Sequence, residues 1–130
     1  MTTFPDARLA ALTVLRDLAP TEATYGTKDY DDIPEAERPE LPYVAVRVDL
    51  TTVRYPITAQ AALRILVWDV SEYAAEQRAW RLHAVLLDYR GGPDMGKPSP
   101  ELGPQADTDD ETGRPFAVFT VSARLRPQST

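Results

Sequence analysis

The chain has 130 residues, enough for one domain with its own core, and carries 20 acidic against 14 basic side chains, a net charge of −6. It holds no cysteine, which excludes disulfides, thiolate metal sites and cysteine nucleophiles and says nothing about compartment. An acidic balance without a basic tail excludes tight, sequence-independent binding to duplex DNA, though not a surface past which DNA slides.

The start of the chain, Met1 to Asp6, lacks both the basic opening and the apolar run of a signal peptide, the pattern of a protein made and used in the cytoplasm. Thr3 is placed to cap a first helix, with Pro5 in the opening turn and Asp6 beside the positive helix end. Ala7, Ala11, Val14 and Leu18 recur at helical spacing, Leu12 and Leu15 widen the stripe, and Pro20 closes the element. Next comes Pro20–Pro42, a proline-rich stretch dominated by acids. After it, Val44, Val46 and Val48 fall on one side of Tyr43–Asp49, which predicts a half-buried strand. Thr51–Gln60 is expected to be irregular, because Pro56 excludes a regular interior strand at that point.

Leu63, Ile65 and Val67 alternate with Arg64, Leu66 and Trp68, so a second strand is apolar on much of both faces. A central strand has that pattern, as does one whose outer face meets another subunit. Ser71 reads as the N-cap of a helix running to about Arg90, with a stripe of Ala75, Ala79, Leu82, Leu86 and Tyr89. Gly91-Gly92 supplies its stop and Pro93 forbids continuation. A second acidic stretch, Gly91–Gly113, precedes Phe116–Leu125, which alternates throughout and predicts a long strand. The order predicts an α+β fold over residues 1–130 as a single domain: one largely antiparallel sheet with two helices packed on one face, and residues 20–42 and 91–113 as long acidic loops. Together those two arms hold 13 acids and 3 bases, whereas the remaining frame holds 7 acids and 11 arginines. Loops this long in a small domain are functional or disordered.

Two motifs imitate chemistry. Gly91, Gly96 and Lys97 stand in phosphate-loop register, but Pro98 replaces the metal-binding hydroxyl, and the segment follows a helix where a phosphate loop follows a strand and opens one. Asp107–Gly113 has the composition of a calcium loop, but Gly113 falls one place late and no terminal bidentate glutamate follows. The single histidine, His83, has no nucleophile or orienting partner nominated by the sequence, so a helix-surface or interface position is expected. Trp80 is assigned to the core and Trp68, at a strand exit, to an interface. No catalytic residue, cofactor or metal is expected. The longest near-apolar stretch, Ala61–Val70, contains Arg64 and Asp69 and is far too short for a membrane span.

With these residues laid out, the chain resembles the tail terminator proteins of long-tailed, siphovirus-type phages, especially those infecting actinobacteria. The resemblance lies in Arg54-Tyr55-Pro56-Ile57-Thr58 running into Leu63–Asp69 and an alanine-rich helix, then in the Gly91-Gly92 stop. It continues in Asp109-Asp110-Glu111-Thr112-Gly113-Arg114-Pro115-Phe116 and the closing Arg124-Leu125-Arg126-Pro127. It implies a homohexameric ring at the head-proximal end of the virion tail, assembled in the host cytoplasm. Such a ring stops polymerisation of the tail tube protein and offers a surface to the head–tail connector, while DNA passes through its lumen without specific binding.

Under that reading an acidic arm of one subunit, including Asp109, Asp110 and Glu111, lies on the frame of its neighbour. Arg47, Arg54, Arg64 and Arg124 are then the acceptors and Trp68 the aromatic anchor. A connector or stopper protein of the same neck is one alternative. A monomeric small-ligand binding module, built on a helix-backed sheet with aromatic edges, is an alternative of another class.

Overall fold

Alternation and helical spacing place most elements where the side-chain pattern requires them, and the additions fall in the two arms and at the two ends of the chain. The computed structural model describes residues 2–54 and 58–129. In chain order it contains β1 (Thr2–Thr3), α1 (Ala7–Leu18), β2 (Thr24–Gly26), β3 (Tyr43–Arg54), β4 (Thr58–Trp68), α2 (Glu72–Asp88), β5 (Ser99–Thr108), β6 (Pro115–Leu125) and β7 (Gln128–Ser129). Five strands form one sheet in the order β2-β3-β4-β6-β5, antiparallel throughout except where β2 runs parallel to β3. β1 and β7 pair separately and bring the two ends of the chain together. The fold is α+β, as expected.

Both helices cover one face of that sheet. Ala11, Leu12 and Leu15 of α1 and Ala75, Ala79, Leu82 and Leu86 of α2 bury against Val44, Val46, Leu63, Ile65, Phe119 and Val121. Burying side chains of this size contributes about 1.5–3 kcal/mol each, which makes this layer the main source of stability. α1 is capped by Asp6, whose carboxylate accepts from Leu9 N–H at 3.1 Å. Thr3 is instead a residue of β1, because the helix begins only after Pro5. Ser71 caps α2 as expected, accepting from Ala74 N–H at 3.0 Å, but the helix ends at Asp88 with Tyr89 already extended at its C-cap, so Gly91, left-handed at φ 105°, lies two residues beyond that cap and does not form the expected stop.

Both arms depart from the loop reading. The first contributes β2 and two single 3-10 turns, Tyr30–Asp32 and Glu35–Glu37. The second contributes β5, a ten-residue strand on the sheet edge. Pro100 and Pro104 fit there because an edge strand donates to one neighbour only, and the pairing with β6 is interrupted twice by register shifts. The strands flanking Pro56 also run further than expected, through Arg54 and from Thr58 onward, while Pro56 itself lies outside the described residues. Among the described residues no helix is long and apolar enough to cross a membrane.

Candidate functional site

The face of the sheet away from the helices carries the residues of interest. At one end the first arm closes over it, where Tyr30 packs with Tyr43 and Trp68 at ring-centroid distances of 5.5 and 6.3 Å. The Tyr30 hydroxyl donates to Pro39 O at 2.8 Å, and the Tyr43 hydroxyl donates to Lys28 O at 2.6 Å. Arg38 and Arg114 both lie over the Tyr30 ring, and Arg114 Nε donates to Asp31 at 2.7 Å. The tryptophans exchange their expected places: Trp68 is 5 % exposed, inside this cluster, whereas Trp80 is 48 % exposed on α2.

Next along the face, Arg47 and Arg64 stand directly opposite each other on β3 and β4. Like charges so placed repel, and each is held by a carboxylate of its own chain. Asp29 from the first arm pairs with Arg47, and Asp49, displaced by the bulge in β3, accepts from Arg64 at 3.0 Å. Arg47, Arg64 and Asp29 edge a groove of about 530 Å³ over the apolar floor of Leu66, Phe116 and Val118, with Leu102 on its β5 side.

Asp109 and Glu111 reach the same groove from the β5–β6 turn, and Asp110 lies exposed between them. Asp109 organises that turn: its carboxylate accepts from Glu111 N–H at 2.8 Å and Thr112 N–H at 3.0 Å. Those bonds, the one from Thr112 foremost, hold its carboxyl below the usual carboxylate range. The calcium-like composition is thus that of a hairpin turn, closed by Gly113 with φ 73°. Among the described residues no group of three or more His, Cys, Asp or Glu is placed to hold a metal ion.

At the far end of the face, Arg54 and Arg124 line a second depression of about 410 Å³ with Thr52, Gln60, Ser122 and the acidic Glu101. Both are exposed, and neither has an ion-pair partner among the described residues. Five of the eight interface candidates therefore gather at one groove and two at a depression further along the same face. Tyr30, Arg114 and Asp29, which tie the first arm down, escaped the sequence reading. Their only advance signal was an aromatic residue amid the acids of Asp29-Tyr30-Asp31-Asp32.

Elsewhere, Lys97 of the phosphate-loop imitation donates to Leu87 O at the end of α2, where a cation complements the negative helix end. His83 is wedged edge-on between Trp80 and Phe119, its Nε2 buried without a partner among the described residues, and burial pushes its pKa down. No family of known proteins matches the chain, and no curated protein is significantly similar to it.

Proposed function

We propose that the chain is a structural virion protein, the tail terminator of a long-tailed phage. It forms a ring on the head-proximal end of the tail tube, blocks further addition of tube subunits and presents a surface to the head connector. The observation that carries this reading is the far half of β3. β2 covers only Tyr43–Ala45, so residues 46–54 of β3 have one open edge among the described residues. Leu50 and Val53 project there from opposite faces, each at least 60 % exposed. An open strand edge flanked by exposed apolar side chains is a template for pairing with another chain, and a monomer would be expected to blunt it. The layout shared with tail terminators supplies the particular assembly.

A small-ligand module is the second reading, favoured by the groove volume of about 530 Å³, which lies in the range of ligand sites. Five carboxylates around that groove suit a protein segment better than an apolar ligand.

Phage lacking this protein should accumulate overlong tail tubes and unjoined filled heads in electron micrographs of lysates. Tails of normal length that fail to join heads would move the protein to the connector side of the joint. Normal virions would end the structural reading altogether.

A further inference from the structure

We infer that the acid-rimmed groove of one copy receives the sheet end of the next copy that carries Arg54 on β3 and Arg124 on β6. This deepens the ring-forming role proposed above and rests on it. The outer face of the sheet is electrically divided. Of the five carboxylates at the groove, Asp29 and Asp31 pair with Arg47 and Arg114, and Asp109 serves its own turn. Asp32 and Glu111 are exposed and have no ion-pair partner among the described residues. At the other end, Arg54 and Arg124 are equally unpaired, and Glu101, which lines the same depression, forms no ion pair with either among the described residues, so two cations stand against one anion there.

The two ends cannot satisfy each other within one chain. Arg64 at the groove and Thr58 opposite Arg54 lie six residues apart on β4, about 20 Å at about 3.3 Å per residue. An arginine side chain does not bridge that distance, so Arg54 and Arg124 cannot reach the groove's unpaired acids within one chain, and a second copy is what can bring the two together. The apolar parts correspond as well: exposed Leu50 accompanies the arginines, and Leu66, Val118 and exposed Leu102 line the groove. Because the two mating surfaces differ, the contact is directional, and a directional contact that closes by rotation makes a ring.

The test uses two exposed-site double variants, with circular dichroism confirming that each folds. R54E/R124E makes both ends acidic, and D32R/E111R replaces the groove's unpaired acids with arginine. Sedimentation velocity at low salt over a range of concentrations should show wild-type association beyond a dimer. Each variant alone should associate about 30-fold more weakly or worse. An equimolar mixture should recover assembly, since each variant then meets the charge it lacks. Variants that associate like wild type, or a mixture that recovers nothing, would overturn the contact while leaving a ring built on other surfaces intact. A complex that stops at two copies overturns the directional form. A wild-type chain that stays monomeric also overturns the inference, and tube length in the phage then decides the terminator role independently.

Discussion

The most buried charge in the molecule shows how single residues hold the frame together. Asp69 is 4 % exposed, accepts from Val70 N–H at 2.8 Å and binds Arg78 Nε at 2.8 Å. Arg78 also pairs with Glu22, which Arg81 shares, so one guanidinium joins the end of β4, α2 and the first arm. Removing it leaves a carboxylate stranded, which costs more than the pair itself contributes. Arg78→Ala should lower unfolding free energy by about 3 kcal/mol in urea titrations, and Asp69→Asn in the same background should restore part of the loss. His83 gives a pH dependence of known sign. Burial lowers its pKa below the ordinary 6.5, so the unfolded chain binds the proton more readily. Its neutral form therefore stabilises the fold fully above about pH 6.5, and that contribution declines as pH falls toward the folded pKa. His83→Leu should flatten the stability curve below about pH 6.5 relative to wild type; curves of equal slope would remove His83 as the cause.

Among the elements, α2 and β6 were the most legible because each buries one continuous stripe, at a period of 3.6 or of 2. The buried set of α2 is Ala75, Ala79, Leu82 and Leu86, four of the five residues expected. β5 was illegible for a physical reason: as an edge strand it pairs on one side, keeps prolines and exposes most of its side chains, so Ser99–Thr108 reads as a loop. The first arm was illegible because long-range contacts with Trp68 and Arg114, and no local propensity, fold it. That distinction is testable. Tyr30→Ala should cost about 3 kcal/mol and open residues 28–40 to protease, since it removes the ring on which Tyr43, Trp68 and two guanidiniums converge. The arginines of the candidate site were recognisable, but their cis partners were hidden by the same long-range folding. Lys97→Ala should lower stability by only about 0.3–1 kcal/mol, the scale of a cation at a helix end, and, on the proposed terminator role, leave tail assembly normal.

At the scale of the whole molecule, the opposition between acidic arms and arginine frame is settled within one chain for part of the first arm, while no acid of the second arm has an ion-pair partner among the described residues. Glu22, Asp29 and Asp31 of the first arm all have arginine partners in the same molecule. Outside the Asp69–Arg78 centre, partly exposed pairs of this kind contribute about 0–1 kcal/mol each, so folding of the isolated chain should depend little on salt. The association proposed above is different. It brings together charges that have no partner in the monomer, and it must overcome repulsion between copies that each carry −6. Low salt strengthens the specific pairing and the general repulsion alike, and the near contacts prevail when the ends are desolvated on meeting. Raising ionic strength from about 0.1 to 1 M shortens the screening length from about 10 to about 3 Å, which weakens rim pairing but spares apolar burial. Sedimentation of the wild-type chain across that range should therefore show weaker association at high salt, while its urea midpoint moves little. If association instead strengthens with salt, Leu50, Val53 and the open β3 edge dominate the contact, and the divided charge of the outer face serves only to set its direction.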